Sequence, residues 1–380
     1  MILPTASFAS SEPYDSHQRE EGVLRGRLRD YQRLSTESRF PMHTFRCVCH
    51  SRLFFGSTNC VACQRTVAMC PACRQVSAME VQEGGTWKCL RNGCGQLQHP
   101  CQNRTDHAVC NRGVLAEEET QPLCTTCRLN QVIPDLTVPG NLEKWQRLEA
   151  AKRRVLYIVE AIGLPIGMPD QEELLPLKFE FKADGPQPVS TGHAGGLIVI
   201  NVKEADSVHR EQTRVEFGEP QRTLVGHFRH ELGHYYWDLL VKPHHLEAFR
   251  EQFGNEENPT YADAQQAYYA NGPQPHWPQQ FVSAYASMHP WEDFAESFAT
   301  YLDMVAIVTT AAHFDQEEQR FESYEFDALL KAYLEIGIMA NEFNREIGLL
   351  DLVPEVFTEP VIEKLRFMHT LTEYAPTSEA

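Results

Sequence analysis

No cysteine follows Cys127, so the last 253 of the 380 residues contain none. That absence excludes a disulfide-stapled fold for two thirds of the chain. No secretory leader is expected either: the opening MILPTASFASSEPYD has no basic start followed by an apolar run, and no stretch reaches the length of a membrane span. The expectation is a cytoplasmic protein with no membrane contact. Positive charge is also short, with 34 Lys and Arg against 52 Asp and Glu, a net charge of −18. Residues 1–127 hold 14 basic and 12 acidic side chains, net +2, and residues 128–380 hold 20 and 40, net −20. Nucleic-acid binding needs a basic footprint, so the expected partner is a protein or peptide substrate rather than nucleic acid. Nothing in the composition sets an oligomeric state.

What is present is a crowd of twelve cysteines between Cys47 and Cys127. Most come as close pairs (Cys47/Cys49, Cys60/Cys63, Cys70/Cys73, Cys124/Cys127), with Cys89, Cys94, Cys101 and Cys110 at looser spacing. Two thiolates from one turn can reach the same ion, and a reducing compartment favours metal over disulfides, so the pattern reads as zinc knuckles. Twelve sulfurs make three tetrahedral sites. Chain order groups them as Cys47, Cys49, Cys60, Cys63; then Cys70, Cys73, Cys89, Cys94; then Cys101, Cys110, Cys124, Cys127. An interleaved cross-brace joining Cys47/Cys49 to Cys70/Cys73 stays open, because spacing does not fix connectivity. His50, His99 and His107 are spare imidazoles that a closed count of twelve leaves unused. Each four-thiolate site adds a formal −2, which makes this region acidic too.

The predicted class is α+β. Residues 1–43, rich in Ser, Glu and Arg, read as disordered or as a short helix. Residues 44–135 form a zinc-ribbon region with three four-cysteine sites, its core supplied mainly by metal. Residues 136–380 form a mostly helical domain with a small sheet. Its predicted elements are a helix over 141–163, strands over 177–183 (LKFEFKA) and 196–202 (GLIVINV), two long helices separated by a polar, Pro-bearing loop over 255–278, and helices over 326–348 and 360–374.

Within residues 220–241 sits HELGH, His230 to His234. At about 100° per residue, His227, His230, Glu231, His234 and Asp238 share one face, and Leu224, Val225, Phe228, Leu232, Tyr235 and Leu239 form a separate apolar face. Pro220 suits a first helical turn. Two imidazoles one turn apart can chelate one zinc, which then needs a third protein ligand and an open position. The metzincin pattern is excluded, since Trp237 and Leu240 stand where it has Gly and His. Asp238 is about 12 Å beyond His230 along the same helix, too far to be that ligand. His227 reads as a packed or solvated histidine, and His244 and His245 as surface residues. A second amphipathic helix over 290–305 carries Glu292, Glu296 and Asp303 on one face, opposite Phe294, Phe298, Tyr301 and Val305. This arrangement resembles the gluzincins, a resemblance that implies Glu292 as the third ligand and Glu296 as the acid holding the first histidine's ring. Spacing alone leaves Glu296 open as the ligand.

The segments FRCVCHSRLFFGSTNCVACQ, CRLNQVIPDL, GHFRHELGHYYWDLLV, HPWEDFAESFATYL, NREIGLLDL and VIEKLRFMH together resemble the bacterial zinc-binding metallopeptidase family with an N-terminal zinc-ribbon domain. The resemblance spans roughly residues 45–370 and implies a zincin-like peptidase core. Against a two-site ribbon of that kind, Cys70, Cys73, Cys89 and Cys94 look like an inserted third site. On this reading His230, His234 and Glu292 hold one catalytic Zn2+, about three more are structural, and Glu231 is the general base of an endopeptidase. Tyr285, His289 and Tyr301 are candidate oxyanion donors, Tyr301 being first of all a core residue and His289 lying one turn before Glu292. The strand over 196–202 aligns substrate or is a plain core strand. Residues 255–278, with Tyr261, Tyr268, Tyr269 and His276, make a lid or a surface connection. The alternative function is a non-catalytic zinc-ribbon scaffold with a peptidase-like domain.

Overall fold

Short apolar runs give short strands. In the cysteine-rich region β1 (Phe45–Arg46) and β2 (Arg52–Leu53) pair antiparallel, burying Phe45 and Leu53 and exposing Arg46 and Arg52. β3 (Val67–Met69), β4 (Val76–Val81), β5 (Trp87–Cys89), β6 (Leu97–Pro100) and β7 (Gly113–Leu115) then form an antiparallel five-stranded sheet in chain order. The knuckles occupy the tight turns. The residue after the second cysteine in three of them, His50, Gln64 and Arg74, takes a left-handed φ of 68°, 60° and 53°, a conformation few non-glycine residues adopt without a constraint holding it. The computed structural model describes residues 44–118, 120–170, 174–217, 221–314 and 325–373. The readings of residues 1–43 and of Pro220 fall outside them.

Over Asn141–Ala161 the apolar spacing is helical, and the core grows accordingly. Helix α1 (Asn141–Ala161) joins the two regions. Trp145, Leu148, Val155, Leu156, Ile158 and Val159 enter the main core, while Tyr157 packs on Phe55 beside the first cysteine group, with ring centroids 5.2 Å apart. Glu160 accepts from Arg74 at 2.8 Å. Strand β8 (Asn130–Val132), from the stretch read as ribbon, pairs parallel with β9 (Lys178–Lys182). β9 pairs parallel with β11 (Leu197–Asn201), and β10 (Gly192–Ala194) closes the sheet antiparallel, in the order β10-β11-β9-β8. The strand expected over 196–202 is therefore internal, and the edge is β10.

Helices α2 (Ser207–Phe217), α3 (Leu224–Tyr236), α4 (Leu246–Phe253), α5 (Tyr261–Asn271), α6 (Pro290–Phe314), α7 (Phe326–Glu346) and α8 (Glu359–Glu373) are the longer helices that follow. A π-helical turn, Trp237–Val241, extends α3. Residues 255–278, expected as a loop, contain α5. Thr260 caps it, accepting from the Asp263 amide, and Gly272 ends it at φ 79°. Among the described residues no helix is long and apolar enough to cross a membrane.

Candidate metal centres

The twelve sulfurs gather into the three chain-order groups, with every Sγ of a group within 4.8 Å of the others. Cys47–Cys63 and Cys49–Cys60 lie 3.6 and 3.5 Å apart, Cys70–Cys94 and Cys73–Cys89 3.8 and 3.9 Å, and Cys110–Cys124 3.7 Å. A disulfide needs about 2.05 Å. Tetrahedral zinc with bonds near 2.3 Å spaces its sulfurs about 3.8 Å apart, so the groups fit zinc and do not fit disulfides. The third group is buried at all four cysteines, and the first two at only two each. Arg112 lies buried beside the third, its amide donating to Cys110 Sγ at 3.3 Å.

The fourth cluster is built by two helices that meet at a glycine. α3 starts on Thr223, whose hydroxyl accepts from the Gly226 amide at 2.9 Å. At Gly233, inside HELGH, a β-carbon would stand 2.7 Å from the Ala295 α-carbon of α6. Only glycine allows that approach, which brings the donors of the two helices together. His230 Nε2 and Glu292 Oε2 are 3.0 Å apart, His234 Nε2 and Glu292 Oε2 3.4 Å, and the two Nε2 atoms 3.1 Å. Bonds of 2.0–2.1 Å at tetrahedral angles put such donors about 3.3 Å apart, so the three fit one zinc. Glu296 Oε1 accepts from His230 Nδ1 at 2.6 Å and fixes the tautomer that turns Nε2 to the metal position. Tyr261, on α5, donates to Glu292 Oε1 at 2.8 Å and leaves the buried Oε2 without a hydrogen-bond partner. Trp291 lies over the His234 ring, with centroids 3.7 Å apart. Although burial opposes ionisation, the two imidazoles hold the Glu292 carboxyl well below the usual carboxylate range.

Glu231 is buried beside this cluster, and its Oε2 has no hydrogen-bond partner. Burial, reinforced by the charge of Glu292, pushes its carboxyl up to about 7 against the pull of His230. The other candidates are spread around the cluster. Tyr285 lies with its ring 6.0 Å from that of His230. His289 has both nitrogens in use: Nδ1 accepts from the Trp291 amide and Nε2 donates to the Glu256 carbonyl, each at 3.1 Å. It holds backbone and has no N–H left for an oxyanion. Tyr301 is fully buried, its hydroxyl 2.9 Å from His369 Nδ1. His227 faces Glu204, and burial pushes its imidazole down to about 3.

Tyr261, expected in a lid or surface connection, opens helix α5 instead, and two further residues near the cluster carry no signal in the sequence. Trp291 follows His289 and Pro290 with nothing to mark its stacking role. His193, on β10, has its ring 6.2 Å from that of His234, and its Nδ1 lies 3.9 Å from Asp238 Oδ2.

A family described as "Putative zinc-binding metallo-peptidase" matches residues 141–371, and a zinc-ribbon domain family matches residues 44–138. Proteins described as uncharacterized from two Mycobacterium tuberculosis strains and from Mycobacterium bovis are each 38% identical over 284 residues, spanning 72% of this chain and 82% of their own length. No solved structure matches the chain. With three sulfur groups in its ribbon and one His/His/Glu cluster across two helices, the chain belongs to this zinc-binding metallopeptidase family.

Proposed function

We propose that the protein is a cytoplasmic zinc-dependent endopeptidase acting on a protein or peptide, with one catalytic and three structural zinc ions. The observation that carries this reading is the triangle of His230, His234 and Glu292 donor atoms, 3.0 to 3.4 Å on a side, with the buried carboxyl of Glu231 on the same helix. Zinc held by those donors supplies the Lewis acidity that activates a water and polarises a peptide carbonyl. Glu231 is the general base. Its buried carboxyl, next in the chain to the ligand His230, would take the proton of the attacking water and return it to the departing amine. Glu296 orients His230, and Tyr261 and Trp291 fix Glu292 and His234. Tyr285, its ring 6.0 Å from that of His230, is the phenol we assign as donor to the developing oxyanion. Substrate backbone would add at the edge strand β10 rather than at internal β11.

Glu231→Gln keeps the shape and removes the base. The expected result is unchanged zinc content with hydrolysis of an unstructured peptide mixture lost; equal cleavage by the variant would remove Glu231 from the mechanism. A wild-type chain that holds four zincs and cleaves nothing would favour the scaffold reading.

A further inference from the structure

No aspartate or glutamate occurs between Thr44 and Met79, although residues 128–380 carry twice as many acidic as basic side chains. The first sulfur group lies inside this acid-free stretch. Arg46 and Arg52 face each other across β1 and β2, and Arg65 follows the Cys60/Cys63 pair. All three arginines are exposed, and among the described residues none pairs with a carboxylate. Beside them, Val48 between Cys47 and Cys49 is 44% exposed, Phe54 after β2 is 60%, and Val61 after Cys60 is 85%. Arg65 is engaged by the Cys63 sulfur and Arg46 donates to the His50 carbonyl at 3.4 Å, and large apolar side chains held open beside guanidiniums that no described carboxylate neutralises are the composition of a binding surface.

We propose that the tip of the first zinc knuckle is a docking site for an acidic, apolar-bearing peptide segment of the substrate. This rests on the peptidase reading. Charge complementarity selects that occupant: the three positive charges of Arg46, Arg52 and Arg65 exceed the formal −2 of a zinc-loaded first site and match carboxylates, and the valines and Phe54 match Leu- or Phe-like side chains. A nucleic acid fits less well, because the net −20 of residues 128–380 repels a long polyanion more than a short acidic segment.

Helix α6 sets the distance from this site to the metal cluster. Its far end reaches the ribbon, where His313 Nε2 lies 3.3 Å from Thr44 Oγ1, and its first turn carries Glu292. The twenty-one steps from Glu292 to His313, at about 1.5 Å each, span roughly 30 Å. An extended chain at about 3.3 Å per residue needs roughly nine residues to cover that distance. The docked segment and the cleaved bond are therefore separated by about nine residues or more.

The test is selection of a phage-displayed random 12-residue peptide library on full-length, zinc-loaded Glu231→Gln protein, with counter-selection on the same protein also carrying R46E and R52E at equal zinc content. The expected outcome is enrichment of segments holding two or more Asp or Glu beside Leu, Phe or Trp, bound about tenfold or more weakly by the arginine variant. No enrichment, enrichment without acidic residues, or binding untouched by R46E and R52E overturns the proposal. So does a 20-base single-stranded DNA that binds through these arginines in place of peptide. Selected segments, extended by 20 residues, are then incubated with the wild-type enzyme. Cuts within about five residues of the motif overturn the spacing, whereas binding without any cut leaves the docking site standing and removes the peptidase reading.

Discussion

The two halves of the molecule hold metal donors in opposite ways. In the ribbon the donors sit on turns between strands of two to six residues, and four of the five buried members of the third cluster are the ligand cysteines themselves. In the peptidase half the donors ride on α3 and α6, packed by the large core around Phe228, Leu232, Tyr235, Phe294 and Phe298. Around the third site the ligands are nearly the whole core, the first two clusters add Phe45, Leu53, Val67, Val76, Met79 and Trp87 to their cysteines, and the helical half has a large core that its donors merely line. Burial does not follow this division: the third sulfur group is buried at all four cysteines, the first two at two each, and the His/His/Glu cluster at two of its three residues.

Removing metal breaks this comparison most strongly. Binding of a structural zinc is worth about 10–16 kcal/mol, so a strong chelator, or Cys110→Ser, should unfold the ribbon and leave the helices. Limited trypsin digestion checks this: cuts at Arg65 and Arg74 should appear while 141–371 stays protected. Loss of the helical signal at the same chelator concentration would mean that the two halves share one metal-dependent core. Next in size is Glu231→Gln, for which a rate loss of roughly 10²–10⁴ at unchanged zinc content is expected.

Smaller effects sharpen the picture of the open site. Glu296→Ala should weaken its zinc about 10–100-fold and leave three tightly held ions, as read by titration with a competing chelator. If Glu292→Ala kept that zinc and Glu296→Ala lost it, the ligand order would be reversed. Gly233→Val pushes a side chain into Ala295 and should cost about 1–3 kcal/mol, seen as a lower Tm with the ribbon zincs retained. Smallest is a pH effect in the loop before β10. Asp184 accepts from the Val189 amide, Lys203 and Asn201, and these partners hold its carboxyl down to about 2. A depressed pKa stabilises above the unfolded value, so Asp184→Asn should lower Tm at pH 7. The difference should fade as pH falls from about 4 through 2. A constant difference across that range would remove the linkage.

Much of the site was legible because helical spacing is rigid. One turn separates His230 from His234 and Glu292 from Glu296, so spacing alone shows which side chains share a face, while the Glu296 contact to His230 Nδ1 was what the gluzincin resemblance implied. The sulfurs obeyed chain order because each knuckle closes on its near neighbours. What escaped notice lacks a periodic signal. In α5, YADAQQAYYAN has no clear apolar face, although Thr260, Asp263 and Gly272 stand at its two ends. In β10, Gly-His-Ala carries no strand preference and exists because β11 pairs with it.

The most direct measurement is the time course of zinc released from the full chain to a chromogenic chelator at neutral pH. One equivalent should leave quickly and three slowly, with His230→Ala lacking the fast equivalent and keeping the slow three. Uniform release, or a fast equivalent that persists in His230→Ala, would contradict the division into one open and three closed sites.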